Sequence, residues 1–256
     1  MIRGVSSALA KAYDEQYSDE LTGWREVGGK YKARNIIDVC RGQVFRKVLE
    51  CGAGEGGILK FIDLSDAFDE LCAIEISDSG IRQIEKRNLP RLREVRKFDG
   101  YEIPYADKHF DMAYCSHVIE HVEHPRVLLR ELKRVSRFQV FEIPLDYSIG
   151  VDRFTKDFLA YGHINIYTPS LFKFLLKSEA FEILAEKLTC SAPEVVRYNW
   201  PRNVGLRTAI SREIMLRLDP LRRMVRRIQR GRAAYEEYFF SAYTCLVRSA
   251  GELEVL

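Results

Sequence analysis

Residues 48–59 read VLECGAGEGGIL, and the whole chain is organised around them. Val48 and Leu49 lead into a carboxylate, Glu50. Gly52, Gly54 and Gly56 follow at every second position, and Ile58, Leu59 and Ile62 then resume at helical spacing. This is the pattern of a strand, a glycine turn and a helix start. The glycines give the backbone dihedrals that a side chain would block, and they let a ligand come close to the main chain.

Two readings of the turn compete. Gly52-x-Gly54-x-x-Gly57 satisfies a dinucleotide fingerprint, with Glu75 near the ~20-residue spacing at which an acid holds a ribose hydroxyl. The same residues also read as Glu50-x-Gly52-x-Gly54-x-Gly56, an acid closing the strand ahead of the glycines. The surrounding chain has to separate them.

Downstream, apolar runs alternate with helical stretches. Strands are expected at Lys47–Cys51, Glu70–Ile76, Glu94–Phe98, Phe110–Cys115 and Gln139–Ile143. Helices are expected at Gly56–Leu64, from Ser79 to Arg87 after the capping pair Ser77-Asp78, and from Pro125 with Leu128, Leu129, Leu132 and Val135 inward. After Pro144, Leu145–Ile166 reads as a loop; Thr168-Pro169 opens a further helix that stops near Glu179-Ala180. Phe181–Leu188 and Tyr238–Arg248 read as two late strands. The fold class is therefore α/β: a Rossmann-like, doubly wound, mostly parallel sheet of seven strands, helices on both faces and the last strand antiparallel. Such sheets bind ligands at the carboxyl ends of their strands, where Glu50, Glu75, Asp99 and Cys115–His117 fall. Glu75 suits a ribose, and Asp99 suits an adenine amino group.

Composition narrows the class. At 256 residues and 46% hydrophobic, the chain can bury a full core. Six scattered cysteines without a C-x-x-C pair fit reduced thiols in the cytoplasm, not a disulfide framework or zinc ribbon. The first thirty residues lack a signal-peptide core, and no run reaches the ~20 apolar residues of a membrane span. Charge is uneven: residues 197–232 hold eleven arginines against Glu213 and Asp219, so they carry +9, while the rest of a chain of net +3 carries −6.

Four regions result. Residues 1–43 are amphipathic and aromatic, either a helix on the sheet or a lid that brings Tyr13 or Tyr17 to a ligand; Gly28-Gly29 is expected to break this region. Residues 44–190 are the α/β core. Residues 191–237 are an arginine-rich helical insertion, with Asp219-Pro220 as a helix start, and residues 238–256 hold the final strand. The insertion suits a lid, an oligomer contact such as a homodimer, an anionic substrate or membrane surface, or RNA.

Taken together, Glu50–Gly56, Glu75-Ile76, Asp99-Gly100 with Ile103-Pro104, and Phe110-Asp111 through His117-Val-Ile-Glu120-His121 resemble the class I S-adenosylmethionine-dependent methyltransferases of the small UbiE/UbiG-like type. Gly162-His163 to Thr168-Pro169 resembles the segment before their last core helix. The resemblance covers roughly residues 44–188 and the final strand. It implies S-adenosyl-L-methionine as cofactor, with S-adenosyl-L-homocysteine as product. It also implies that Gly52, Ala53, Gly54 and Gly56 contact the methionine part, Glu50 lies under the cationic end, Glu75 holds the ribose and Asp99 the adenine amine. Cys115, Ser116 and His117 would line the pocket floor. Cys51 and the arginine-rich insertion depart from the family pattern.

The expected reaction is methyl transfer, to an oxygen of a small-molecule or glycan acceptor. The alternatives are an RNA or protein methyltransferase, disfavoured by the lack of an Asn/Asp-Pro-Pro-aromatic motif, and a non-catalytic cofactor-binding module. His163 is the first choice of general base, followed by His117 and His121, with Tyr161 as an orienting hydroxyl. His117-x-x-Glu120-His121 also matches an inverted zinc-peptidase motif. That motif needs both histidines on one long helix, and here a strand runs into it and Pro125 follows. No metal is therefore expected.

Overall fold

The computed structural model describes residues 4–5, 14, 22–147, 150–199 and 206–251. Its centre is a seven-stranded sheet built from β1 (Lys47–Cys51), β2 (Glu70–Glu75), β3 (Leu92–Lys97), β4 (Phe110–Ser116), β5 (Ser136–Pro144), β6 (Phe181–Thr189) and β7 (Ala242–Ser249). The strand order is β3-β2-β1-β4-β5-β7-β6. The first five strands run parallel, and β7 lies antiparallel between β5 and β6. The chain walks outward from β1 to β3 and then returns to β4 on the other side of β1. Their carboxyl ends therefore flank the crevice where a sheet of this kind receives ligands.

The pleat assigns alternate residues to two cores. Leu49, Cys51, Ile74, Ala113, Cys115 and Phe141 face one side, against Leu128, Leu129 and Leu132 of α4 (Pro125–Val135) and Phe172 of α6 (Pro169–Lys177). Val48, Leu71, Ala73, Met112 and Tyr114 face the other. That side is covered by α1 (Thr22–Val39), α2 (Gly57–Asp63) and α3 (Asp78–Lys86). Fully buried aliphatic and aromatic side chains of this kind are each worth roughly 1.5–3 kcal/mol. Local chemistry sets the helix starts. The Ser77 hydroxyl accepts from the Gly80 N–H at 2.9 Å and caps α3. Thr168 caps α6 in the same way ahead of Pro169.

Four expectations are corrected. Helix α1 runs through Gly28-Gly29 without a break. The pair costs helix propensity, but burial of Ala33, Ile36 and Val39 outweighs it. Gly29 also lies where α1 crosses the start of α2, and a Cβ there would sit 2.6 Å from the Gly57 carbonyl oxygen. The stretch after β5 is not all loop. It holds a 3-10 turn (Val151–Phe154) and α5 (Thr155–Ala160), both with exposed or half-exposed side chains and therefore without apolar periodicity. Pro220 does not start a helix but lies inside α8 (Leu206–Arg230), which follows α7 (Pro193–Asn199). An exposed helix can forgo one hydrogen bond because water reaches the carbonyl left over. Finally, Tyr238 ends α9 (Arg232–Tyr238), and β7 begins only at Ala242.

Helix α1 contributes to both the core and the ligand crevice. Its second half is buried on the sheet, while Arg25, Gly28, Gly29 and Lys32 of its first half face the cavity described below. Tyr13 and Tyr17 lie outside the described residues. All six cysteines are free thiols. None of the described helices is long and apolar enough to cross a membrane.

Candidate active site

At the carboxyl ends of β1, β2 and β4 lies a cavity with about 290 Å³ of accessible space. The glycine turn forms one wall. Gly52, Gly54 and Gly56 have φ of 73°, 56° and 76°, in the left-handed region that only glycine enters freely. The N–H groups of Gly52 and Ala53 both reach the Ile74 carbonyl, at 2.9 and 3.2 Å, which ties the turn to β2. Glu75 locks it from the side: its carboxylate accepts from the Gly54 N–H at 2.7 Å and from the Ser77 N–H at 3.1 Å. Burial raises the Glu75 pKa, and these backbone donors oppose the rise.

Beneath the turn, Glu50 is buried and accepts a 2.6 Å hydrogen bond from the Tyr114 hydroxyl. Burial pushes the Glu50 pKa up to about 8, against the opposing pull of that bond and of Lys32. Lys32 comes in from α1, its own pKa lowered by burial although Glu142, Glu120 and Glu50 all surround it with negative charge. A second buried carboxylate, Glu142, accepts from Asn35 at 2.9 Å and from the Ser116 hydroxyl at 3.0 Å. Helix α1 is thereby bonded to the ends of β4 and β5.

The far end of the cavity is histidine-rich. His117 directly follows β4 with φ 55°, a left-handed conformation unusual for a residue with a side chain, and its N–H donates to the Glu142 carbonyl at 2.8 Å. Burial, then Lys32, holds its pKa well below the usual histidine range. The reversed backbone launches a 3-10 turn, Ile119–His121. His121 bonds the Gly162 carbonyl through Nδ1 at 2.9 Å, and burial lowers its pKa to about 4. His163 bonds Asp146 through Nδ1 at 2.7 Å. Burial alone would depress the His163 pKa, but the Asp146 bond and the nearby charge of Glu120 raise it instead. The two imidazoles meet edge to face, 4.8 Å between ring centres. The Tyr161 ring lies 6.2 Å from that of His163.

The cavity thus brings together Glu50, Gly52, Ala53, Gly54, Glu75, Ile76, Gly100, Ser116, His117, His121, Tyr161 and His163 of the residues singled out from sequence. Three others stand apart from its lining. Cys115 is part of the core below. Gly56 sits behind the turn, close to Ile84 and Arg87. Asp99 is exposed, and its Oδ1 accepts from the N–H groups of Tyr101 and Glu102, while its neighbours Phe98 and Gly100 face the cavity. Sequence reading missed Arg25, Lys32, Glu55 and Val118 in the lining, and Asp146 behind His163. For α1 a signal existed: Arg25, Gly28, Gly29 and Lys32 recur at intervals of three and four residues, the spacing of one helix face.

Residues 49–138 match the sequence family described as a methyltransferase domain. A protein of Bacillus subtilis (strain 168) named as a methyltransferase, YrhH, is 29% identical over 135 residues, which cover 50% of this chain and 75% of that protein. Among solved structures, an S-adenosylmethionine-dependent methyltransferase from Archaeoglobus fulgidus aligns with a TM-score of 0.55 at 21% identity, over 88% of this chain and 94% of that one. A geranyl diphosphate methyltransferase in complex with GPP and sinefungin aligns with a TM-score of 0.58 at 11% identity, over 85% of this chain and 76% of that one. At such identities the structures speak for the fold, and the family match covers the glycine turn together with the strands that carry the cavity. Residues 49–138 thus match a methyltransferase domain in sequence, and the chain has the fold of class I S-adenosylmethionine-dependent methyltransferases.

Proposed function

We propose that this methyltransferase transfers its methyl group to an oxygen of a small-molecule or glycan acceptor, bound at the histidine-rich end of the cavity. The observation that carries the reading is the polarity of that cavity. A buried carboxylate, Glu50, lies under the glycine turn at one end, and the His163–Asp146 pair lies at the other.

The first end fits the cofactor. Gly52, Ala53 and Gly54 leave a wall of bare backbone for its methionine part, with Gly56 shaping the turn from behind. A Cβ at Gly52 would come within 2.5 Å of Val118. Glu50 supplies negative charge where a sulfonium needs it. Glu75, already positioned by two backbone donors, retains lone pairs for a ribose diol. Gly100 and Ile76 would border the adenine, with Asp99 at the rim. Ser116 and His117 form the floor, backed by Cys115. When bound, S-adenosylmethionine supplies an electrophilic methyl and leaves as S-adenosylhomocysteine.

The chain's remaining work is to align the acceptor and remove its proton. His163 is the group best placed for the proton, because Asp146 holds the Nδ1–H and so directs Nε2 toward the cavity. His121, fixed by Gly162, and the exposed Tyr161 would orient the acceptor. Segment 1–43 would act as a lid: Val5 lines the cavity, and Asp14 accepts from Ser77 and Ser79 beside Glu75. Helix α8 has α9 as its main neighbour. It exposes Ile210, Ile214, Leu218, Leu221 and Ile228 at helical spacing beside its arginines, which supports contact with an anionic acceptor or partner.

Calorimetric titration with S-adenosylmethionine and, separately, NADH tests the cofactor, and acceptor turnover is then screened by release of S-adenosylhomocysteine. Micromolar binding of the first alone is expected. Binding of NADH alone would overturn the reading.

A further inference from the structure

We infer that Glu120, His121 and His163 form a binding site for a divalent transition-metal ion at the acceptor end of the cavity. One potential ligand atom from each, a carboxylate oxygen and two imidazole nitrogens, lie within 4.8 Å of one another. Bonds of about 2.0–2.2 Å would place such donors about 3.3 Å apart around an ion, so closure asks only for small side-chain movements.

The carboxylate is the strongest indication. Glu120 is 1% exposed, and among the described residues neither of its oxygens has a hydrogen-bond partner. A buried carboxylate without a donor is costly and rare. Its surroundings are not apolar: Oε1 lies 3.7 Å from His121 Nε2, a separation suited to an ion between them, and 3.6 Å from His117 Nδ1, and the charge of Lys32 also acts on it. The other nitrogen of each proposed ligand is already held. His121 Nδ1 meets the Gly162 carbonyl and His163 Nδ1 meets Asp146. Metal-binding histidines are oriented by such outer partners, which fix the tautomer that directs the second nitrogen to the ion.

The two contributing segments are also fastened together. The Glu120 carbonyl accepts from the N–H groups of Ile164 and Asn165 at 3.0 and 2.9 Å, and the Asn165 side chain donates to the Val122 carbonyl at 2.8 Å. His163 is thus brought to Glu120 by backbone bonds that do not involve either side chain. The peptidase motif differs in its chemistry, since there the glutamate works on water from a long helix. Here only a three-residue 3-10 turn follows β4, the glutamate itself is a ligand, and the third ligand comes from the loop after β5.

Two imidazoles and one carboxylate suit Zn²⁺, Mn²⁺, Fe²⁺ or Co²⁺ and leave room for an acceptor oxygen. This deepens the proposed oxygen methylation, and only the use of the ion rests on that reading. With the ion in place His163 Nε2 is a ligand, and acidification of an acceptor hydroxyl passes from the histidine to the ion.

The test is titration of the chelator-dialysed full chain with Co²⁺, followed by its visible absorption bands, and with Zn²⁺ by calorimetry. One equivalent should bind, and Glu120→Gln and His163→Ala should each weaken binding by about 100-fold or more. His163→Ala keeps the test valid if the buried Glu120→Gln variant fails to fold. Absence of stoichiometric binding, or equal binding by parent and His163→Ala, overturns the inference. Titration of the same samples with S-adenosylmethionine separates the two ideas: intact cofactor binding without metal binding removes the ion alone.

Discussion

The Tyr114 hydroxyl donates to Glu50 Oε2 across 2.6 Å between register partners on adjacent parallel strands, directly beneath the glycine turn. A buried carboxylate with this one strong donor is half prepared for charge. Its pKa near 8 means that at neutral pH most of the ligand-free protein holds it protonated. In the proposed complex a sulfonium cation above it would favour the anion, so cofactor binding would be coupled to loss of that proton. Affinity for S-adenosylmethionine should rise by up to about tenfold per pH unit below pH 8 and level off above it. S-adenosylhomocysteine lacks the cation and should show no such rise. Calorimetry at pH 7 in buffers of different ionisation enthalpy should read about one proton released for the first ligand only. The same pH dependence for both ligands would remove Glu50 from this role.

Replacing Glu50 by glutamine separates stability from binding. The folded pKa of about 8 lies above the ordinary 4.5, so folding takes up a proton between these values. The associated stability is fully present below about pH 4.5 and is lost as pH rises through 8. Glutamine does not titrate. The melting temperature of Glu50→Gln should therefore fall less than that of the parent between pH 5 and pH 8.5, while its affinity for S-adenosylmethionine drops by about tenfold or more. Equal pH profiles of melting would show that Glu50 ionises freely in the folded protein.

The strands and the acids at their ends were legible because local pattern determines them. Val48-Leu49-Glu50, Leu71–Glu75 and the cap at Ser77 are read from a few consecutive residues. Lys32 was not legible in the same way, because its charge makes sense only once α1 lies over Glu50, Glu120 and Glu142. The partnership of Asp146 with His163 spans 17 positions of a segment with almost no apolar pattern. The Gly28-Gly29 pair and Pro220 misled for one reason. Both carry a local penalty against helix that long helices absorb, α1 through buried packing and α8 through exposure to water.

The two glycines of α1 should respond oppositely to alanine. Among the described residues a Cβ at Gly28 meets nothing within 4 Å, whereas one at Gly29 would press to 2.6 Å from the Gly57 carbonyl oxygen. Gly28→Ala should stabilise the protein by about 0.5–1 kcal/mol through helix propensity and a less flexible unfolded chain. Gly29→Ala should push α1 away from the start of α2, costing about 1–3 kcal/mol and weakening cofactor binding, since that contact borders the cavity. Chemical denaturation of both variants checks the sign. A destabilised Gly28→Ala beside an unaffected Gly29→Ala would contradict the packing of α1 described above.

Glu179 offers a pH dependence of opposite sign, remote from the cavity. It is buried at the end of α6 and accepts from Arg126 at 2.7 Å and from Arg130 at 2.7 and 3.0 Å. Burial raises its pKa, but the two guanidiniums outweigh it, so the pKa is lowered overall. The stability it contributes is present above pH 4.5 and is lost as pH falls through the folded value. Glu179→Gln should destabilise by about 1–3 kcal/mol at pH 7 and by much less at pH 3, with cofactor affinity unchanged at pH 7. A loss of stability that stayed constant down to pH 3 would point to packing instead of charge.

Asp146 lies behind His163 rather than in the cavity lining, which allows the positioning of the histidine to be tested separately from cofactor binding. Its carboxylate holds Nδ1 at 2.7 Å, which in the proposed mechanism would leave Nε2 to meet an acceptor or an ion. Asparagine at 146 is nearly the same size, but its amide can donate to Nδ1 and so stabilise the opposite tautomer. Turnover should fall by about 10- to 100-fold, whether His163 takes a proton or binds a metal, while affinity for S-adenosylmethionine stays within about twofold. A merely structural Asp146 would lower cofactor affinity and melting temperature together and leave turnover at saturation intact. Measuring kcat, cofactor affinity and Co²⁺ affinity on the one variant therefore distinguishes the cases. A drop in kcat with unchanged Co²⁺ binding assigns His163 to the proton, and a parallel drop in both assigns it to the ion.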